Sequence, residues 1–227
     1  DSILFFRLGD FYEMFNEDAK LVSKELDLTL TTRDRNKPPE ERTPMCGVPY
    51  HSCESYIARL IAKGYKVAIC EQTEDPAAAK GLVKRDIIRV VTPGTVIDES
   101  CLSAERSNYL CGVYLDDTGA GLCACDVSTG KAQATVFTGP DRVRALLNEL
   151  GRFSPAEAVM NETAFFDETL HQALRERFSC HLEKLPAARF APEEADKKVR
   201  AHFGRDALER LPRDNMTPLL ALGGVTI

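Results

Sequence analysis

Hydrophobic and polar positions change period several times along the chain. The apolar run Ile3-Leu4-Phe5-Phe6 leads into Gly9-Asp10-Phe11-Tyr12-Glu13-Met14-Phe15, which predicts a strand over residues 3–15 bent at Gly9-Asp10, where glycine permits close approach of another backbone. In an extended backbone alternate side chains share a face. Phe5, Arg7, Phe11, Glu13 and Phe15 are therefore expected on one side, and Phe6, Leu8, Asp10, Tyr12 and Met14 on the other. Asn16 is expected to cap a helix with Glu17 and Asp18 in its first turn and Ala19, Val22 and Leu26 on its apolar stripe. Leu26, Leu28 and Leu30 alternate with polar residues as in a strand. The charged segment 33–43, with Pro38-Pro39, reads as a solvated connection, and residues 45–51 as an ordered loop against the core. Ser52 should cap a second helix over 53–63 that turns Tyr56, Ile57, Leu60 and Ile61 inward and stops at Gly64. A short strand over 65–70 follows, then a small turn from Asp75-Pro76 to Lys80-Gly81. A further strand over 85–92 carries Ile87, Ile88, Val90 and Val91, apolar on both faces as in a covered sheet.

Polar residues 98–108 predict a linker, and the pattern then changes. Runs at 109–115, 121–127 and 131–137, separated by Asp116-Asp117-Thr118-Gly119 and Ser128-Thr129-Gly130, predict an antiparallel meander. A helix over 140–150, a strand over 156–160 and a helix over 163–178 come next. Pro186, Pro192, Pro212 and Pro218 break up the tail, and 219–227 reads as a last helix. The fold class is α/β, in two domains divided within residues 98–108, a mixed β-sheet with helices followed by the meander with its helices.

With 227 residues, 44% of them hydrophobic, the chain can bury two ordinary cores. A formal charge of -6, with no basic excess in either half, argues against a protein that coats phosphate backbone. If nucleic acid is the partner, most of the electrostatic affinity comes from a second subunit or from sequence outside the chain. Eight cysteines without a CxxC pair predict reduced thiols; Cys46, His51 and Cys53 sketch three zinc ligands but lack a fourth and a recognised spacing. The absence of a ~20-residue apolar run and of a basic leader predicts a cytoplasmic protein with no membrane partner. The abrupt ends, Asp1-Ser2-Ile3 and Val225-Thr226-Ile227, lead us to expect a fragment of a longer chain.

Chemistry concentrates at Phe11 and Glu13, a ring and a carboxylate side by side on one strand face. An apolar wedge beside one hydrogen-bonding group can probe the base stack of a distorted duplex; the alternative is an interaction module in which these aromatics are core. No GxxxxGK[ST], GxSxG, HExxH or GxGxxG motif is present. Asp116, Asp117 and Asp126 at strand ends leave open a ribonuclease-H-like, two-metal nuclease with Asp126 at its centre, although an Asp before Ser-Thr-Gly is more often a turn residue. Arg33, Arg35, Lys84 and Arg85 are the cationic candidates. Arg33 and Arg85 could meet phosphates flanking the wedge.

Gly9-Asp10-Phe11-Tyr12-Glu13-Met14-Phe15, Thr43-Pro44-Met45-Cys46-Gly47-Val48-Pro49-Tyr50-His51, Val67-Ala68-Ile69-Cys70-Glu71-Gln72, Asp75-Pro76 with Lys80-Gly81, and Arg89-Val90-Val91-Thr92-Pro93-Gly94-Thr95 follow in the order and spacing of the MutS DNA mismatch repair family, which the chain resembles. The resemblance is specific over residues 1 to about 100 and looser beyond. It implies a mismatch-recognition domain over 1–103, short of an N-terminal segment, and a connector domain with a ribonuclease-H-like fold over 108–227, truncated at its end. Phe11 is implied to stack on the mispaired base, Glu13 to hydrogen-bond to it, and Arg33 and Arg85 to approach the DNA backbone. As an ion Glu13 would accept from an imino N–H, and as a neutral acid it would donate to a purine N7. The loop 34–42 departs from the family's usual length and composition, so contacts near it are not carried over. Further implications are a non-enzymatic fragment with no catalytic residue, metal or cofactor of its own, ATP and Mg belonging to a missing ATPase domain. The implied partners are mismatched double-stranded DNA, a MutL-type protein through the connector, and a second MutS subunit, with the parent protein nucleoid-associated when bound to DNA.

Overall fold

The computed structural model describes residues 2–74, 83–96 and 108–226, so the turn expected from Asp75-Pro76 to Lys80-Gly81 and most of the expected linker lie outside the described residues. The chain divides into two units, Asp1–Ala104 and Glu105–Ile227. Among the described residues no helix is long and apolar enough to cross a membrane.

In the first unit the elements run β1 (Ile3–Leu8), β2 (Phe11–Phe15), α1 (Asn16–Leu26), β3 (Thr31–Thr32), β4 (Pro44–Pro49), α2 (Cys53–Ala62), β5 (Val67–Gln72) and β6 (Arg85–Val91). The strands form one sheet in the order β3-β4-β2-β1-β5-β6, with β1 and β5 parallel and the other neighbours antiparallel. Both helices pack on the same face, where Phe5, Tyr12, Met14, Val22, Leu26, Val48, Ile57, Leu60, Val67 and Ile69 make the core. Several expectations change. The strand over 3–15 is a hairpin, and residues 44–49 pair as a strand because antiparallel partners on both sides take up their backbone groups. Leu26 ends α1 instead of opening a strand, since its side chain closes the helix's buried stripe. Asn16 is not a side-chain cap: with φ +52 it turns the chain out of β2 into α1, and Asp18 Oδ2 accepts the Leu4 N–H at 2.9 Å where β2 has ended.

The second unit contains β7 (Tyr109–Leu115), β8 (Ala120–Asp126), β9 (Lys131–Phe137), α3 (Arg142–Phe153), β10 (Glu157–Met160), α4 (Glu162–Phe165), α5 (Glu168–Gln172), β11 (His181–Lys184), α6 (Pro192–Phe203), α7 (Arg205–Glu209) and α8 (Thr217–Val225). The meander β7-β8-β9 is extended beside β7 by parallel strands β10 and β11, giving the order β11-β10-β7-β8-β9. Leu146 and Leu150 of α3 bury against one face of this sheet together with Cys111, Val113 and Leu122. Helix α8 lies on the other face, pressed so close that a Cβ on Gly112 or Gly121 would overlap the Ala221 or Thr217 carbonyl oxygen. The helix expected over 163–178 is broken into α4, α5 and a π-type turn, because Asn161 and Asp167 each accept a backbone N–H and start a new helix. Pro192 and Pro218 open helices where breaks were expected, their missing N–H falling in the first turn where no intrahelical partner exists.

Gly121→Ala should lower the urea midpoint, followed by far-UV circular dichroism, by the equivalent of roughly 1–3 kcal/mol, because the added methyl meets backbone that cannot yield. Gly151→Ala within α3 meets only the Phe178 ring, at 3.5 Å, and should raise the midpoint by about 0.5–1 kcal/mol.

Candidate nucleic-acid interface

The first unit is organised around the β1-β2 hairpin. Gly9 takes φ +58 at the first position of a two-residue turn, a conformation favourable only without a Cβ. The turn sets Leu8 opposite Phe11 and Phe6 opposite Glu13. Paired residues share a face, so Phe6 and Leu8 lie with Phe11, Glu13 and Phe15, whereas Phe5 and Arg7 lie with Tyr12 and Met14 on the helix-covered side. The alternation expected within residues 11–15 holds, and the assignment across Gly9-Asp10 is reversed, because the chain folds back instead of continuing.

Both turn carbonyls are held. Arg7 Nε donates to the Gly9 oxygen, and the Tyr50 N–H donates to the Asp10 oxygen at 2.9 Å. The Arg7 guanidinium lies 3.6 Å over the Tyr50 ring and pairs with Glu71 Oε1 at 3.2 Å; the Tyr12 hydroxyl donates to that same oxygen. Burial first, then the hydrogen bond to Glu71, pushes the Tyr12 phenol well above its ordinary value. Sequence reasoning missed Arg7, Tyr12, Tyr50 and Glu71, whose partners are up to 64 residues away. Their work is to hold the hairpin from behind.

On the open face Phe11 is 48% exposed while Tyr12 and Met14 beside it are buried. Gly47 of β4 lies opposite Glu13, and a Cβ there would reach within 3.6 Å of Glu13 Cγ and 3.8 Å of Phe11 Cδ1. The glycine therefore leaves the floor between ring and carboxylate low. Glu13 Oε2 is buried without a hydrogen-bond partner, and Arg33 Nη1 stands 3.5 Å from it. Arg33 is carried just past β3 on a loop fastened at Asp34, whose carboxylate accepts the Thr43 hydroxyl at 3.0 Å. That bond is the first cause holding the Asp34 carboxyl below the usual range.

Arg85 sits on β6, at the opposite edge of the sheet. Its Nε donates to the Arg7 carbonyl and its Nη1 to the Val83 carbonyl, both at 2.8 Å, and its guanidinium lies 5.2 Å from the Phe6 ring centre. Arg33 and Arg85 thus flank a face whose middle carries Phe11 and Glu13. Strand β6 is not covered on both sides as expected: Ile87, Ile88 and Val90 are exposed, because the helices cover one face only and the register shifts opposite Ile69/Cys70, leaving Ile88 unpaired.

The carboxylates of the second unit do not converge. Asp116 and Asp126 stand at opposite ends of the β7-β8 pair, roughly 20 Å apart along the strands. Asp116 accepts from Thr118 and Gly119. Asp126 accepts from Ser128 and Thr129, the Ser128 hydroxyl being the main cause that holds its carboxyl below the usual range. Both are turn residues. Among the described residues no group of three or more His, Cys, Asp or Glu side chains could hold a metal ion, and Cys46 donates instead to the Ala19 carbonyl.

A sheet covered on one side, with an exposed ring and a half-buried carboxylate on a braced hairpin, and a second sheet carrying helices on both faces make this a protein of two α/β units. Residues 1–100 match the family model MutS domain I and residues 108–225 match MutS domain II. The chain belongs to the MutS family. It is 51% identical to the DNA mismatch repair protein MutS of Acetivibrio thermocellus, over 89% of this chain and 23% of that protein. It is 47% identical to the protein of the same name from Ruminiclostridium cellulolyticum, over 92% of this chain and 24% of that one. The chain thus spans about a quarter of the length of these relatives. A solved structure of T. thermophilus RuvC in complex with Holliday junction substrate overlaps 51% of this chain and 89% of that one, at 20% identity and a TM-score of 0.37, too slight a likeness to bear on the site.

The brace makes a pH prediction. A phenol whose folded value is raised stays neutral in the folded chain while the unfolded chain ionises near pH ~10, so stability is full below that pH and is lost as pH rises toward the folded value. The thiols of Cys46 and Cys53, pushed up to about 11 by burial, add to the same loss. Tyr12→Phe should therefore shrink, without abolishing, the fall in urea midpoint between pH ~9 and ~11.

Proposed function

We propose that this chain recognises mispaired bases in duplex DNA through the open face of its first unit. The observation that carries this reading is the exposed Phe11 ring next to Glu13, a carboxylate with one buried oxygen lacking a hydrogen-bond partner. A ring needed for the core would be buried as Phe5 is. A duplex bent at a mismatch opens its minor groove to Phe11, whose ring gains stacking worth roughly 1–3 kcal/mol. Bending and unstacking are easier at a mispair than at a correct pair, and that difference in deformation energy supplies the discrimination. Glu13 tests the exposed base, accepting an N–H as the ion or donating to a purine N7 as the acid. The braced turn keeps the wedge from yielding under the stack.

A net charge of -6 leaves the electrostatic affinity to other parts of a longer MutS protein. In that protein a second MutS subunit completes the grip, an ATPase domain holds ATP and Mg, and the second unit here meets a MutL-type partner. No catalytic residue, metal or cofactor falls to this chain, and DNA binding would associate the parent with the nucleoid. The ribonuclease-H-like nuclease alternative needs convergent carboxylates, which the separation of Asp116 and Asp126 opposes.

In the full-length protein Phe11→Ala should cut affinity for a mismatched duplex roughly tenfold to a hundredfold, down to that for a matched duplex, as read by fluorescence anisotropy. Retained mismatch preference would refute the wedge. The 227-residue chain alone should bind either duplex weakly and with little preference, and tight selective binding by it in a gel-shift titration would contradict the division of labour above.

A further inference from the structure

Glu13 presents an electrostatic problem to the reading above, on which this inference rests: it places a negative charge on a face that must approach phosphates. On the elements around it, its register neighbours are Phe6 of β1 and Gly47 of β4, neither of them charged. Among the described residues the cation within ion-pair reach is Arg33. Its guanidinium stands 3.5 Å from Glu13 Oε2, which nonetheless has no hydrogen-bond partner. The pair attracts without a hydrogen bond, so it neutralises the carboxylate while Oε2, buried beside the guanidinium, is left without a donor until Arg33 moves. Arg33 is itself 60% exposed, while Glu13 is 20% exposed. The arginine can move to a new partner in solvent, whereas the carboxylate is confined to the floor between Phe11 and Gly47.

We propose that Arg33 is a specificity-determining residue that exchanges partners: it pairs with Glu13 while the wedge is not inserted, and moves to a DNA phosphate when Glu13 takes the mispaired base. A matched duplex leaves Glu13 paired with Arg33 and gains no phosphate contact from it. A mismatched duplex gains both the base contact and the Arg33–phosphate contact. The exchange makes one backbone contact, ordinarily blind to sequence, depend on the state of the base.

The test measures matched and mismatched binding by the full-length protein over a range of salt concentrations. Arg33→Gln should weaken mismatched binding several-fold and reduce its salt slope by about one, while matched binding, which loses only the local screening of Glu13, falls less and keeps its slope. Arg33→Lys, which keeps the charge, should restore the slope. Glu13→Gln frees Arg33 in both complexes, so matched binding should tighten and its slope steepen by about one; Glu13→Gln combined with Arg33→Gln should lose that gain. Equal weakening of matched and mismatched binding by Arg33→Gln, or a gain in Glu13→Gln that persists in the double variant, overturns the exchange. Either result beside a Phe11→Ala protein that has lost discrimination leaves the wedge standing and removes only the exchange, whereas discrimination surviving Phe11→Ala removes both.

Discussion

The two-residue turn at Gly9-Asp10 sets a register, Phe6 opposite Glu13 and Leu8 opposite Phe11, on which every other feature of the first unit depends. A one-residue slip of β2 would exchange its faces, sending Phe11 and Glu13 into the core and Tyr12 and Met14 into solvent. Three constraints prevent it. Gly9 supplies the positive φ, Arg7 and the Tyr50 N–H hold the two turn carbonyls, and the Tyr12 hydroxyl is tied to Glu71 on β5. Polar groups on the helix side therefore hold an apolar ring on the other.

That arrangement shapes the electrostatics of the face. A carboxylate confined between Phe11 and Gly47 cannot swing away from an approaching backbone, so its charge must be answered locally, and Arg33 does so from a loop fastened through Asp34 and Thr43. Arg85 at the other edge is committed differently. Its bond to the Arg7 carbonyl ties β6 to β1 beyond the last β1-β5 pair, and its bond to Val83 fixes its own segment, so it is a structural strut as well as a flanking cation. The two arginines looked equivalent in sequence and are unlike in freedom.

The second unit depends on close backbone approach. Gly112 and Gly121 admit α8 against the meander, and α6 covers the outer side of α8 where Gly223 meets Ala195. Acids that read as possible metal ligands close the turns after β7 and β8. Their positions follow from the antiparallel register, which sends the C-terminal ends of consecutive strands to opposite ends of the pair.

Much was legible in the sequence where the controlling physics is local. Alternation between Phe11 and Phe15 follows from the two-residue repeat of an extended backbone, the stripe Ala19, Val22, Leu26 from the helical repeat, and the meander from turn residues between apolar runs. The ordered blocks around Phe11 and Glu13 identified the family. The tertiary structure alone decided which face of each strand meets water, because that depends on where α1 and α2 come to rest. It left Ile87, Ile88 and Val90 exposed in a run that reads as core. It alone reversed the faces across Gly9-Asp10, made a strand of residues 44–49, and brought Arg33 to Glu13 and Glu71 to Tyr12. Residue spacing along the chain encodes periodicity, but contacts between segments twenty to sixty residues apart are set by the packing of the whole unit.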